Sequence, residues 1–253
     1  MNEVPSQTGQ SAGLTQWQRV ACTFTAPSKT FEDIRRGNRS WWLPFLITFV
    51  AGTLLWAAVG QMVTWRGVYE NSQRNLPEVA RHLMENLSAD QRAKQEQRGP
   101  ISQEVTWAIA PLGLLLIDVC MAAVLLATIN FGFGGRAEFG AIFAVTQYAG
   151  LVLWPIKLLL GAVALYAGVL PEAFDPKNPV GTNVGYYLSL QDTNFTLYTL
   201  ATNVDALAIW CMVLTAIGVA AVAGTKRSPG YITVFGWWAV SLMFSLGIAA
   251  IFS

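Results

Sequence analysis

Two ionisable residues lie inside long apolar stretches, where a charged side chain is costly and calls for an explanation. Asp118 is the one charged residue of residues 107–131, and Lys157 is the one charged residue of residues 141–167. At helical rise they lie about 18 Å and 15 Å from the outer ends of their stretches. Because a short turn joins the two stretches, we predict that the charges meet as an intramembrane pair. Such a pair could fix helix pairing, bind a proton or ion, or contact a substrate or lipid headgroup.

Other candidate chemical motifs are weak. His82-x-x-Glu85 places two possible ligands on one helical face but lacks the second histidine of a zinc motif, so we interpret it as a surface pair. The glycine-rich residues 132–136 lack the following Lys-Ser/Thr of a phosphate loop, and no strand precedes them. The three cysteines lie far apart. We therefore predict no catalytic residue, no cofactor, no metal site and no enzymatic activity.

The composition is that of a membrane protein. The chain of 253 residues is 53% hydrophobic and 12% charged, with mean hydropathy +0.41, whereas soluble domains carry about 25% charged residues. Aromatic residues make up 12% of the chain, as in proteins with aromatic side chains at the membrane interface. The formal net charge of +1 gives no general attraction to nucleic acid, and we expect no nucleic-acid partner.

Five segments are long and apolar enough to cross a bilayer, which takes about 20 residues. We predict spans over residues 41–63, 107–131, 141–167, 206–224 and 231–252. Together, residues 41–253 form a single five-span domain of an all-α integral membrane protein. Residues 1–40 are polar and lack the pattern of a cleavable signal peptide, so we expect the first span to direct insertion.

The flanking charges predict the orientation. The total numbers of Lys and Arg on the two sides nearly balance. The residues directly beside the spans therefore determine the predicted orientation. Arg35, Arg36 and Arg39 crowd the start of the first span, and Lys226 and Arg227 occupy the turn between the last two spans. Positive residues favour the cytoplasmic side. We predict an inner N-terminus and an outer C-terminus.

The N-terminal segment has two predicted parts. Residues 1–13 have the composition of a disordered tail. Residues 14–40 show helical spacing of apolar side chains, which predicts an amphipathic segment on the inner membrane surface with Trp17 toward lipid. We expect Phe31 and Ile34, in a second short helix, to face the membrane too. The alternatives for this segment are packing under the bundle and docking of a partner.

Two polar segments lie on the outer side. Residues 66–104 should form a helix with Pro77 in its first turn and a second helix capped at Ser88. We expect Gly99-Pro100 to end that second helix. Residues 171–196 are rich in proline and glycine, which predicts a short cover over the bundle.

Several stretches carry a family resemblance. Ala26-Pro-Ser-Lys-Thr-Phe-Glu-Asp-Ile34 and Trp41-Trp-Leu-Pro-Phe-Leu46 resemble the entry to the first span of prokaryotic members of the Yip1 family. Phe133-Gly-Gly-Arg-Ala-Glu-Phe-Gly-Ala-Ile-Phe-Ala-Val-Thr-Gln-Tyr148, continuing to Trp154-Pro155, resembles its inner turn and third span. Gly230-Tyr-Ile-Thr-Val-Phe-Gly236 resembles the start of its last span. The likeness covers most of residues 17–253 and is cumulative.

The resemblance implies five helices, a cytosolic N-terminus and a C-terminus on the opposite side. Eukaryotic members of the family act in vesicle traffic and bind prenylated Rab-type GTPases. Their Asp-Leu-Tyr-Gly-Pro-Phe motif is reduced here to Pro44-Phe45, and their Gly-Tyr pair is replaced by Gln147-Tyr148. These departures argue against GTPase binding. The outer segment is of the prokaryotic type, which implies the bacterial cytoplasmic membrane.

Two functional hypotheses follow. The first is a non-enzymatic scaffold that organises membrane or recruits a protein partner or lipid at its inner face. Its candidate contact residues are Trp17, Arg35, Arg36, Arg39, Arg136, Lys226 and Arg227. The alternative is a small transporter or channel with a polar site at Asp118 and Lys157. Small residues in the last two spans are compatible with a monomer, a dimer or a larger assembly.

Overall fold

The computed structural model describes residues 13–252. Every named secondary-structure element within that range is helical. The predicted disordered tail, residues 1–13, lies outside the described residues except for Gly13. The α-helices are α1 (Gln16–Thr25), α2 (Pro27–Arg35), α3 (Trp42–Met62), α4 (Trp65–Arg74), α5 (Glu78–Glu85), α6 (Ala89–Ala127), α7 (Phe139–Gly150), α8 (Trp154–Tyr166), α9 (Phe195–Asn203), α10 (Ala206–Ala223) and α11 (Arg227–Ile251). A π-helical turn, Thr128–Gly132, continues α6.

Within the described range, five helical segments are long and apolar enough to span a membrane. They are Trp42–Met62, Ala89–Gly132, Phe139–Tyr166, Ala206–Ala223 and Arg227–Ile251. This confirms the predicted all-α, five-span class. We call the end of the bundle with the α6–α7 and α10–α11 turns the inner end, following the predicted orientation.

The helix that contains the second span is longer than predicted. Ser88 caps α6 as expected, but the helix does not end at Gly99-Pro100 and runs on through Ala89–Gly132. Proline inside a helix costs about 3 kcal/mol or more, and packing of α4 against this part of α6 offsets that cost. The ring of Tyr69 lies where a Cβ atom at position 99 would be, so glycine is what allows α4 to pack this closely.

The third span is broken in the middle. Helix α7 ends at Gly150, residues 151–153 form turns, and α8 starts at Trp154 with Pro155 in its first turn. Proline lacks the amide hydrogen needed to continue the ladder. The break lets α7 pack against α6 and α10 while α8 packs against α3. The two halves of one span therefore belong to different parts of the bundle.

The N-terminal helices pack against the bundle. Helices α1 and α2 contact each other, and α2 packs on α10 and α7. Phe31 and Ile34 are fully buried in the main core, so the prediction that they face the membrane is wrong. Gly218 makes room for Phe31, since a Cβ at position 218 would overlap Val145 and crowd Phe31. Trp17, by contrast, is 67% exposed.

Candidate functional site

Asp118 makes an interhelical hydrogen bond near the middle of the bundle. The Gln147 side-chain nitrogen, in α7, donates to the Asp118 Oδ2 atom at 2.7 Å. Gln147 is buried, and α6 packs against α7 in this region. Polar side chains that bond across helices in this way stabilise membrane bundles.

Lys157 has a different partner from the one predicted. Its Nζ atom lies 2.8 Å from the Asp205 Oδ2 atom, and both side chains are largely buried. The predicted Asp118–Lys157 pair is not formed. The reason is the break after Gly150, because Asp118 faces α7 whereas Lys157 lies beyond the break on α8. The transport alternative rested on that shared site.

Asp205 is a junction that the sequence reasoning missed. Its Oδ1 atom accepts from the backbone amides of Leu207 and Ala208, which caps α10. Its Oδ2 atom accepts from the Thr182 hydroxyl at 2.5 Å, in the outer loop. An Asp directly before an apolar helix is an N-cap signature, and that signal could have identified it.

A second buried ion pair joins the N-terminal helices. Arg19 is 1% exposed, and its Nε atom lies 3.5 Å from Asp33 Oδ2. Its guanidinium donates to the Asn38 carbonyl and to the Ser40 hydroxyl. The Arg19 carbonyl accepts from the Thr30 hydroxyl at 3.0 Å, which ties α1 to α2.

The same arginine connects this segment to the third span. The Arg19 guanidinium lies 5.2 Å from the centre of the Tyr148 ring, within the range of a cation–π contact. The Tyr148 hydroxyl donates to the Ser40 carbonyl at 3.3 Å. Arg19 was not among the predicted site residues, although it is the one charged residue of α1, and that isolation was the available signal.

Three of the predicted inner-face cations are paired with acids. Arg35 and Arg36 both bond Glu32, and the hydrogen bond from Arg35 is the main cause that holds the pKa of Glu32 below its ordinary value. Arg39 bonds Glu138, with an Nη2–Oε1 distance of 2.8 Å. This hydrogen bond likewise lowers the pKa of Glu138.

The other three predicted cations lie on two adjoining turns. The backbone amide of Arg136 donates to the Ala223 carbonyl at 3.1 Å, which joins the α6–α7 turn to the end of α10. Arg136, Lys226 and Arg227 are exposed, and none forms an ion pair within the described part of the chain. Phe131, in the π-helical turn that precedes the α6–α7 turn, is 91% exposed. We call Phe131, Arg136, Lys226 and Arg227 the inner basic patch.

The inner basic patch has a fixed backbone. The Asn130 side chain both donates to the Ala137 carbonyl and accepts from the Ala137 amide, each at 2.9 Å. Gly134 and Gly224 have φ angles of 68°, which glycine adopts without strain. The turn conformations are therefore set before any ligand binds.

The remaining motif behaves as a surface pair. His82 Nδ1 lies 3.2 Å from Glu85 Oε2, and both side chains are exposed. This agrees with the interpretation made from the sequence.

The fold and these sites define a polytopic, all-helical integral membrane protein. The profile of the Yip1 domain family matches residues 21–249, which is most of the chain. The protein therefore belongs to the Yip1 family, as the sequence resemblance predicted. Neither the curated proteins nor the solved structures include a significant match to the chain.

Proposed function

We propose that this Yip1-family protein is a non-enzymatic scaffold of the bacterial cytoplasmic membrane whose inner basic patch binds anionic lipid headgroups. The observation that carries the proposal is the bond between the Arg136 amide and the Ala223 carbonyl. It brings two turns together that present three cations without an ion pair in the described chain. An N-inside orientation places this patch on the leaflet that carries the anionic surface.

The chemistry of the patch fits a headgroup region. A Lys or Arg near an anionic surface contributes about 1 kcal/mol, so three act together as a site of useful strength. Phe131, exposed in the π-helical turn before Arg136, supplies the apolar contact that anchors basic segments at an interface. By contrast, the charges of Arg35 and Arg36 are partly neutralised by Glu32, and that of Arg39 is partly neutralised by Glu138. The proposal therefore assigns lipid binding to the turns rather than to α2.

The inner face also offers a contact surface for a protein partner. Trp17 on α1 is 67% exposed, and the buried Arg19–Asp33 pair holds that helix in place. A rigid exposed tryptophan is a common anchor of protein interfaces. In this proposal Trp17 contacts the partner and the inner basic patch contacts lipid.

Lipid-dependent stabilisation of the purified protein tests the proposal. The melting temperature in detergent is measured with added phosphatidylglycerol and with added phosphatidylcholine. The variant carries Arg136→Gln, Lys226→Gln and Arg227→Gln together. The matched control carries three substitutions of outer cations, Arg66→Gln, Arg81→Gln and Arg98→Gln.

We expect phosphatidylglycerol to stabilise the unmodified protein and the outer control more than phosphatidylcholine does. The inner variant loses three contacts of about 1 kcal/mol each. The phosphatidylglycerol concentration that it needs for half-maximal stabilisation should therefore rise by about 100-fold. An unchanged response in the inner variant, or an equal loss in the outer control, would refute the assignment.

A further inference from the structure

A lateral cleft opens on the outer half of the bundle, away from the inner basic patch. Its volume is about 350 Å³, within the range of about 300–1,000 Å³ typical of ligand sites. Helices α3, α6 and α8 form its walls, and residues 176–179 of the outer loop lie across one end. Gly52, Trp107, Leu114 and Leu158 are among the lining residues, so the walls are mainly apolar.

The cleft is open to the lipid phase. Ile117 lines it and is 60% exposed, on a span whose outer surface meets lipid. A Cβ atom at Gly113, also in the wall, would have no neighbour within 4 Å. Pro111 lies inside α6 and lines the same space. A chain from the bilayer can therefore enter sideways without crossing a polar barrier.

The charged residues of the lining are both positive. Lys157 and Lys177 line the cleft, and no acidic side chain does so within the described chain. Lys157 is paired with Asp205, which neutralises its charge and fixes the position of its ammonium. Lys177 is exposed and forms no ion pair in the described range, so its charge is uncompensated. A mainly apolar cleft that carries the uncompensated Lys177 ammonium is complementary to an amphiphile with an anionic head.

An adjoining cavity contains an unsatisfied donor. It is lined by Trp56 and shares Gly52, Trp107 and Pro111 with the cleft. Among the described residues, the Trp56 indole nitrogen is buried and has no hydrogen-bond partner, and such a group is costly to bury unpaired. An ester carbonyl of a bound lipid is an acceptor that would relieve this cost.

We propose that the cleft binds one anionic phospholipid, with an acyl chain between α3, α6 and α8 and the headgroup phosphate at Lys177. The site is separate from the inner basic patch and lies on the other half of the bundle. It therefore goes beyond the function proposed above. It makes a specific lipid an integral part of the outer half of the bundle.

The test counts retained lipids by native mass spectrometry, using dioleoylphosphatidylglycerol and dioleoylphosphatidylcholine as probes. Gly113→Trp places a large side chain at an open position in the cleft wall, and Leu112→Trp places the same side chain next to it, where Leu112 is 61% exposed. Lys177→Gln removes the uncompensated charge, and Lys94→Gln is its control, an exposed outer lysine paired with Asp90. The surface position of Lys177 makes that variant informative even if Gly113→Trp does not fold.

We expect the unmodified protein, Leu112→Trp and Lys94→Gln to retain one phosphatidylglycerol in preference to phosphatidylcholine. Gly113→Trp loses it, and Lys177→Gln binds it about fivefold more weakly. The proposal is overturned if Gly113→Trp folds and keeps the lipid, if Lys177→Gln behaves as its control does, or if phosphatidylcholine binds equally well. Displacement by glycerol phosphate alone would instead identify a site for a free anion.

The inner triple variant separates this proposal from the preceding one. Arg136→Gln, Lys226→Gln and Arg227→Gln together should leave the lipid in the cleft in place. If they remove it, the retained lipid is bound at the inner basic patch and the cleft is not its site.

Discussion

The Lys157 ammonium in α8 lies 2.8 Å from the Asp205 carboxylate that caps α10. The same carboxylate accepts from Thr182 in the outer loop. One buried acid thus joins two spans and the loop above them. Because Lys157 also lines the lateral cleft, this junction sets the position of a side chain in the cleft wall.

Breaking this pair should destabilise the protein strongly. Lys157→Met leaves the Asp205 carboxylate buried without its counter-charge, which costs about 3–5 kcal/mol. Adding Asp205→Asn removes that charge, and we expect the double variant to be more stable than Lys157→Met alone. Thermal unfolding in detergent, analysed as a double-mutant cycle, gives the coupling.

The control for that cycle is the exposed pair Lys94–Asp90, for which Lys94→Met should cost at most about 1 kcal/mol. Equal costs for Lys157→Met and Lys94→Met would show that the Lys157–Asp205 pair contributes no more than a surface contact.

The hydrogen bond between Gln147 and Asp118 can be tested with substitutions of Asp118 that keep a similar side-chain size. Asp118→Asn keeps an oxygen that can accept from Gln147, so we expect little loss of stability. Asp118→Leu leaves the buried Gln147 amide unpaired, which costs about 1–3 kcal/mol. The measurement is the melting temperature in detergent for both variants. Similar melting temperatures for Asn and Leu at position 118 would contradict a stabilising bond.

Removing Arg19 should release the N-terminal helices. Arg19→Met keeps most of the side-chain volume but leaves Asp33 buried without its cation, at a cost of about 3–5 kcal/mol. We expect a lower melting temperature and faster tryptic cleavage after Lys29 on α2. Arg36→Met removes an exposed partner of Glu32 and serves as the control. If both variants are cleaved at the same rate, Arg19 does not hold α1 and α2 in place.

The five spans could be predicted because length and apolar composition determine them with little help from tertiary contacts. The cap at Ser88 follows from local backbone chemistry, and the structure confirms it. The start of α8 with Pro155 in its first turn has a similarly local cause. The continuation of α6 past Pro100 could not be predicted, since it depends on packing of Tyr69 from another helix.

The contacts of individual side chains could not be predicted in the same way. A helix with an apolar face can turn that face toward lipid or toward protein, and both environments are apolar. Spacing therefore did not distinguish the exposed Trp17 from the buried Phe31. The partner of Lys157 depends on which way α8 leaves the break, and the sequence contains no measure of that direction.

The contact between Arg39 and Glu138 predicts a change of stability with pH. The hydrogen bond from Arg39 lowers the pKa of Glu138 below its ordinary value of 4.5, so the folded state holds that proton less tightly than the unfolded state does. The stabilisation is therefore complete above pH 4.5 and disappears as the pH falls through the lower pKa of the folded state. Both side chains are exposed, so the effect is small.

Melting temperatures between about pH 7 and about pH 3 check this dependence, because that range spans the titration of the paired carboxyl. Glu32 is paired with Arg35 and Arg36, and its pKa is also lowered. The quantity to compare at each pH is therefore the difference in melting temperature between the unmodified protein and Glu138→Gln. We expect this difference to be largest near neutral pH and to vanish in acid. In an Arg39→Gln background, Glu138→Gln should lose this pH-dependent effect. A difference that grows in acid would mean that Glu138 is not stabilised in its charged form.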